Sequence, residues 1–253
     1  MIGAILGDII GSKYEFVDTT NMDTSNIELL NEENFFTDET VIMCATKYAN
    51  EKNIPYEKSY RDFCNRYPNR GYGQMFEQWL RMPEPTPYES EGNGCLCRVI
   101  PFIYCKEDIQ KIISKMSYSI YITHNTNKSI TSSSKLFSIL RLIYELKNQI
   151  GFYPSKNIKL IINNSIKRNN DIKKISGYSY MCDVTLIQAL YCFCESETFE
   201  DCMKKVIRLN CDTDTVCCIC GALWECYDDS FMDKYKDKLE KYLPKELYDI
   251  CIR

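Results

Sequence analysis

Residues 212–224 read Asp212-Thr213-Asp214-Thr215-Val216-Cys217-Cys218-Ile219-Cys220-Gly221-Ala222-Leu223-Trp224. The segment begins with two carboxylates and two hydroxyls and continues at once as an apolar run. Residues that favour a helix start, followed directly by an apolar stretch, are typical of a buried helix. The segment therefore predicts a core helix whose N-terminal end is acidic.

A second segment with the same organisation lies near the other end of the chain. It reads Phe36-Thr37-Asp38-Glu39-Thr40 and leads directly into the apolar residues 41–45. Helix capping is one explanation, because Thr and Asp oxygens accept hydrogen bonds from free backbone N–H groups and carboxylates suit the positive end of a helix. One cap needs only one oxygen, however, whereas each motif supplies two carboxylates and two hydroxyls.

The excess of carboxylates suggests a metal site as the other explanation. Carboxylates gathered at a buried helix end repel one another and lose hydration unless a cation compensates them. Oxygen ligands favour magnesium, calcium or manganese over zinc, and two such clusters together can hold two ions. The residues alone leave both explanations open.

Apolar residues at helical spacing recur along most of the chain, and no alternating strand pattern competes with them. They include Ile2, Ile5, Leu6 and Ile9, then Val41, Ile42 and Ala45, then Leu136, Ile139, Leu140, Ile143 and Leu146. The pattern predicts an all-α fold in one domain over residues 1–253. Clusters of turn residues predict loops at about 17–36, 82–94 and 168–180.

Charge and composition narrow the class of protein. The chain has 31 basic and 35 acidic side chains, a net charge of -4, so it offers no broad cationic surface to a nucleic-acid backbone. The first ten residues are apolar but carry Asp8, and they are too short to span a bilayer. We expect a cytoplasmic, intracellular and soluble protein, a monomer without membrane contact.

The cysteines do not form a metal-binding pattern. There are 15 of them, mostly in apolar surroundings. Cys217 and Cys220 form one CxxC pair without a second pair at zinc-ribbon distance, and His124 is the only histidine. We expect reduced thiols in the core.

Six segments together resemble the ADP-ribosylglycohydrolase family, which includes the dinitrogenase reductase-activating glycohydrolases and the ADP-ribosylhydrolases. In chain order they are GAILGDIIGSKYEF (3–16), FTDET (36–40), RYPNRGYG (66–73), GNGCLCR (92–98), THN (123–125) and DTDT (212–215). Each is weak alone, but their order and spacing match the family over nearly the whole chain.

The resemblance implies a compact orthogonal multi-helix domain with a binuclear magnesium site, where manganese could substitute for magnesium. Thr37, Asp38 and Glu39 would help to hold one ion, while Asp212 and Thr215 would help to hold the other with Asp214 between them. Glu15 matches the family's catalytic glutamate. Asp8 stays outside the predicted site as a structural or supporting residue.

The resemblance also implies a substrate-binding group. Gly92, Asn93, Gly94 and Cys95 would lie against the diphosphate, where small residues let backbone N–H groups approach closely; an ordinary turn is the alternative. His124 would face the ADP-ribose site or serve as a structural loop histidine. Tyr72 would stack on adenine or simply pack.

The implied function is magnesium-dependent hydrolysis of the bond between ADP-ribose and a modified acceptor, on a protein or a small molecule, with nucleic acid relevant only as a modified substrate. One alternative is a weak or inactive ADP-ribose-binding member of the same fold. Another is a helical interaction protein whose acidic motifs are only caps.

Two departures from the family pattern bear on these roles. Glu39 stands where aspartate is usual, which places metal affinity in question because magnesium requires tight geometry. Asn210-Cys211 replaces the usual paired glycines before the second acidic motif, which predicts a narrower approach to the pocket.

Overall fold

The fold is all-α, as predicted. The structure is a computed structural model and describes residues 1–149, 156–169 and 175–252. Within those ranges it has thirteen α-helices, two 3-10 segments (Ile100–Tyr104 and Lys236–Lys241) and no β-strand. The helices are α1 (Ile2–Ser12), α2 (Asp38–Lys52), α3 (Tyr56–Arg66), α4 (Gln74–Arg81), α5 (Gly94–Cys97), α6 (Ile109–Tyr121), α7 (Asn127–Gln149), α8 (Lys156–Asn169), α9 (Cys182–Cys194), α10 (Phe199–Arg208), α11 (Thr213–Tyr227), α12 (Met232–Tyr235) and α13 (Lys245–Ile252).

Helices α1 and α11 form the centre of the core. Every residue of α1 is buried, as expected for a helix that is apolar on all sides. Gly3, Gly7 and Gly11 lie on the face of α1 that contacts α11. A Cβ atom at these positions would lie 2.4 Å from the Gly221 carbonyl oxygen, 2.0 Å from that of Cys217 and 2.4 Å from that of Thr213. The two backbones are therefore in direct contact.

This contact positions the acidic end of α11. Because Gly11 lies against Thr213 and Asp214, the N-terminus of α11 meets the C-terminal end of α1. Helix α1 ends at Ser12, only three residues before Glu15. The second acidic motif is thereby brought close to Glu15.

The predicted loops agree with the structure where it can be compared. Residues 17–36 carry no helix, and within 82–94 only Gly94, the first residue of α5, is helical. The third predicted loop, 168–180, overlaps the end of α8; residues 170–174 lie outside the described residues, and 175–180 carry no helix. No helix among the described residues is long and apolar enough to cross a bilayer.

All 15 cysteines are free thiols, and all are buried except the half-buried Cys105 and Cys194. They fill space in the core as small apolar residues do. The assignment of residues 1–253 to one domain stays a prediction.

Candidate active site

A cavity of about 940 Å³ collects most of the predicted site residues. Residues of both acidic motifs line it together with Glu15, Tyr72, His124 and the Gly92-Asn93-Gly94 segment. Motifs from opposite ends of the chain therefore meet in one pocket. Thr37 and Cys95 are the two predicted residues outside its lining.

Two groups of carboxylates in this pocket lie close enough together to hold a metal ion. One ligand oxygen from each of Glu15, Asp212 and Asp214 lies within 4.8 Å of the others, and the same holds for Asp38, Glu39 and Asp214. Asp214 belongs to both groups. A set of oxygen ligands only suits a hard divalent cation such as magnesium or manganese.

Hydrogen bonds tie the two acidic motifs together. The Thr215 hydroxyl donates to Glu39 Oε1 at 2.8 Å, and the Thr37 hydroxyl lies 3.3 Å from Glu39 Oε2. Thr37 and Asp212 are the N-cap residues of α2 and α11, yet neither side chain makes a capping hydrogen bond. The capping explanation therefore does not account for the motifs.

Asp8 holds the first acidic motif in place through hydrogen bonds. It is fully buried, and its carboxyl accepts hydrogen bonds from the Thr37 amide at 3.0 Å, from the Thr37 hydroxyl at 2.5 Å, and from the Thr40 amide and hydroxyl. This agrees with the supporting role expected for it. Asp8 fixes Thr37 and the start of α2 relative to α1.

The pocket carboxyl groups resist ionisation when no cation is bound. Burial, followed by the charges of Asp214 and Glu39, raises the pKa of Asp8 to about 8 and that of Glu15 to about 8. Burial and the Glu39 carboxylate raise the pKa of Asp214 to about 6. Burial also raises the pKa values of Asp38 and Asp212 well above their usual range. Such a cluster favours either protons or a cation.

The glycine-rich segment is part of the acidic site rather than an isolated turn. The Asn93 side-chain amide donates to Asp212 Oδ2 at 2.7 Å and to the Thr185 hydroxyl at 3.2 Å, and the Asn93 backbone N–H donates to the Tyr180 carbonyl at 2.8 Å. Cys95 is fully buried, and its thiol lies 3.3 Å from the Gly92 carbonyl oxygen. The Cys95 side chain is thus directed into the protein, away from the pocket.

His124 and Tyr72 occupy the pocket wall. His124 is buried, and its Nδ1 lies 2.7 Å from the Thr123 hydroxyl; burial, then the charge of Arg98, lowers its pKa well below the usual value. The Tyr72 hydroxyl donates to the Tyr67 carbonyl at 2.7 Å, and its ring packs beside Phe76. Both residues line the cavity while being held by the protein.

Several residues of the pocket lining were not predicted, and three of them, Arg98, Phe16 and Tyr178, make distinctive contacts. Arg98 ends the GNGCLCR segment, and its position seven residues into a recognisable motif was the available signal. Phe16 directly follows Glu15, has a positive φ of 59° and is 77% exposed. Its ring centroid lies 5.3 Å from that of Tyr178, and no sequence pattern connects these two aromatic residues.

The predicted narrowing by Asn210-Cys211 is not observed. Neither residue lines the cavity. Asn210 has a φ of 53°, a left-handed conformation that asparagine tolerates better than most residues, and its Oδ1 accepts a hydrogen bond from the Thr19 amide at 3.3 Å. The substitution thus preserves the turn that glycine would otherwise make.

An all-α fold with carboxylates clustered in one pocket defines a helical protein with a candidate site for divalent cations. Residues 1–250 match the family model for ADP-ribosylglycohydrolase, so the chain belongs to this family, whose metal-dependent members hydrolyse ADP-ribose linkages. One solved structure, an ADP-ribosylglycohydrolase-related protein complex, superposes with a TM-score of 0.63 and 17% identity, covering 98% of each chain. At that identity the likeness shows the fold alone. A comparison with curated proteins gave no match.

Proposed function

We propose that this protein is a magnesium-dependent ADP-ribosylhydrolase that removes ADP-ribose from a modified protein or small molecule. The observation that carries the proposal is the position of Asp214, which belongs to both carboxylate groups of the pocket. One group contains Glu15 and Asp212, and the other contains Asp38 and Glu39. A carboxylate beside a cation site can activate water for metal-assisted hydrolysis, and this arrangement would supply both.

The donor set fits two magnesium ions. Thr37, Asp38 and Glu39 would hold one, while Asp212 and Thr215 would hold the other, with Asp214 between them. The buried Thr37 hydroxyl and the Thr215 hydroxyl both contact the Glu39 carboxylate, and the carboxylates themselves form the two groups that share Asp214. Bound magnesium supplies positive charge that orients the ribose hydroxyls and stabilises negative charge.

Glu15 is the proposed general base. It is half-buried at the edge of the acidic cluster and lines the cavity, where a water molecule and a sugar have access. Glu15 takes a proton from that water as the water oxygen bonds to the anomeric carbon, and the bond to the acceptor breaks with a proton returned to the acceptor. The negative carboxylate also favours the oxocarbenium-like state that such cleavage passes through.

The test is release of ADP-ribose from arginine-linked and serine-linked substrates, with magnesium or with a chelator. We expect metal-dependent release from at least one substrate and its loss in Glu15→Gln. Glu32→Gln, at an exposed loop position, is the matched control and should behave as the unmodified protein. Equal release by Glu15→Gln would remove Glu15 from the catalytic role.

The same assay separates the alternatives. An inactive ADP-ribose-binding member would bind ADP-ribose in magnesium without releasing it from any substrate. A helical interaction protein would show neither binding nor a stabilising effect of magnesium.

A further inference from the structure

Arg98 is a buried cation that forms no ion pair within the described residues. It is 2% exposed, and its side chain lies 4.9 Å from the Tyr60 ring centroid and 5.5 Å from that of Phe76. Its NH1 group donates to the Ser119 carbonyl at 3.1 Å and to the Thr123 hydroxyl at 2.6 Å. Those two contacts use both NH1 hydrogens and fix Arg98 against Thr123.

One lone pair of the Thr123 hydroxyl oxygen therefore accepts a hydrogen bond from Arg98. Arginine is always a donor, so the Thr123 oxygen must accept from Arg98. Thr123 is fully buried, and its hydroxyl lies 2.7 Å from His124 Nδ1. The oxygen keeps one O–H donor and one lone pair, so its contact with Nδ1 has two possible directions. The Arg98 charge beside the oxygen favours the direction in which Thr123 donates to Nδ1.

A hydrogen bond donated by Thr123 to Nδ1 would decide the tautomer of His124. Burial and the nearby Arg98 charge keep the imidazole neutral, since its pKa is lowered well below the usual value. A neutral ring whose Nδ1 accepts a hydrogen bond must carry its proton on Nε2. The side of the ring that bears Nε2 lies against Gly92, since a Cβ there would be 3.6 Å from Nε2, and both residues line the pocket. Within the described part of the chain Nε2 has no hydrogen-bond partner.

We propose that Arg98 and Thr123 are positioning residues that hold His124 as the Nε2–H tautomer, so that Nε2 donates a hydrogen bond to an acceptor oxygen of the substrate. The substrate part of this inference rests on the proposed function. The opposite tautomer would present a lone pair to that oxygen and would repel it. His124 would thus offer a hydrogen-bond donor to the pocket, whereas the carboxylates offer acceptors. ADP-ribose has phosphate and hydroxyl oxygens that can accept from His124, and hydroxyl groups that can donate to the carboxylates.

The first test needs no substrate. Because His124 is the only histidine, the two imidazole nitrogens of the ¹⁵N-labelled full chain can be identified without assignment. Long-range ¹H–¹⁵N spectra at neutral pH should show a protonated Nε2 and an unprotonated Nδ1 in the unmodified protein. A protonated Nδ1 there would overturn the proposal, whatever any variant does.

Two substitutions at Thr123 test whether its hydroxyl sets the tautomer of His124. Thr123→Val keeps the shape but removes the hydroxyl, and we expect a mixture of tautomers or the Nδ1–H form. Thr123→Ser retains the hydroxyl and should keep the Nε2–H form, as a matched control. An unchanged tautomer in Thr123→Val would show that Thr123 does not set it. Arg98→Lys keeps the charge but loses the planar guanidinium that fixes the donor between Ser119 and Thr123, and it should shift the ring partly toward the same mixture.

ADP-ribose binding tests the role toward substrate. By calorimetry in magnesium, Thr123→Val should raise the Kd for ADP-ribose about tenfold, a change equivalent to about 1.4 kcal/mol, while Thr123→Ser should not. An unchanged Kd in Thr123→Val with the expected tautomers would overturn this role but leave the proposed function intact. Failure of the unmodified protein to bind ADP-ribose would overturn both the proposed function and the role of His124 toward the substrate. The tautomer spectra would still decide whether Arg98 and Thr123 hold His124 as the Nε2–H tautomer.

Discussion

The Thr215 hydroxyl donates a hydrogen bond of 2.8 Å to Glu39 Oε1, joining two acidic motifs that are 176 residues apart in the chain. Glu39 is longer by one methylene than the aspartate usual in the family. Its length lets one carboxylate contact Thr215 of α11 while its other oxygen lies 3.3 Å from the Thr37 hydroxyl before α2. The departure from the family pattern is therefore accommodated by contacts that bind the two halves of the site together.

Thr215→Val tests this connection. The substitution removes the donor and leaves Glu39 Oε1 buried without that partner, so the free energy of unfolding in chelator should fall by about 1–2 kcal/mol. Magnesium should also stabilise the variant less than the unmodified protein. Urea denaturation with chelator and with magnesium measures both effects. Thr131→Val, at an exposed position of α7, is the control and should change stability by less than about 0.5 kcal/mol.

Gly7→Ala tests the contact between α1 and α11. The new Cβ would lie 2.0 Å from the Cys217 carbonyl oxygen and 2.5 Å from its carbon, so the two central helices must separate. We expect a loss of about 3 kcal/mol or more in the free energy of unfolding, at the upper end of overpacking effects. Thermal and urea unfolding measure it.

The control for that experiment is Gly73→Ala. Its added Cβ meets nothing within 4 Å, and Gly73 has a φ of -59° that alanine adopts readily. Gly→Ala restricts the unfolded chain at both positions and raises helix propensity within α1, so these effects favour the folded state. Equal destabilisation by the two substitutions would therefore contradict the close contact as the cause of the effect of Gly7→Ala.

The acidic cluster predicts a pH dependence of stability in the absence of metal. In the folded protein the pKa values of Asp8 and Glu15 are about 8 and that of Asp214 is about 6, all raised from ordinary values of 3.8 to 4.5. The folded state therefore binds protons more strongly than the unfolded state. The resulting stabilisation is fully present below about pH 4 and is lost as the pH rises through 6 to 8.

Denaturation in chelator at pH 5.5 and pH 8.5 should accordingly show a less stable protein at the higher pH. Magnesium should reduce the difference, because a cation compensates the ionised carboxylates and competes with protons. A metal-free protein that is equally stable at both pH values would contradict the arrangement of these carboxyl groups.

The sequence predicted much of this architecture because helical periodicity and helix-start residues are local signals. The helices that follow Thr37 and Asp212 could be placed from such signals, and the family resemblance brought the two motifs into one site. The contact of Gly7 with Cys217 could not be predicted, since three glycines at helical spacing do not reveal which helix they approach.

Two features of the site depend on tertiary structure alone. Arg98 was visible in its motif, but its hydrogen bond to Thr123 requires the segments that directly follow α5 and α6 to meet in the folded protein. The pairing of Phe16 with Tyr178 joins two loop residues that share no periodic pattern. A single sequence does not show which loops will meet across a pocket, because loops have no periodic pattern that identifies their neighbours.

Asn93→Asp provides the last test, because Asn93 donates to Asp212 Oδ2 at 2.7 Å. An aspartate at position 93 loses that donor and places a third carboxylate against Asp212 and Asp214. Repulsion requires ionised groups, so the loss of stability in chelator should be about 2 kcal/mol at pH 8.5, the size of a hydrogen bond to a charged group, and clearly smaller at pH 5.5. Asn65→Asp, at an exposed position of α3, is the matched control and should show almost no loss at either pH. If Asn93→Asp lost equal stability at both pH values, the missing hydrogen bond to Thr185, rather than repulsion from Asp212, would be the cause.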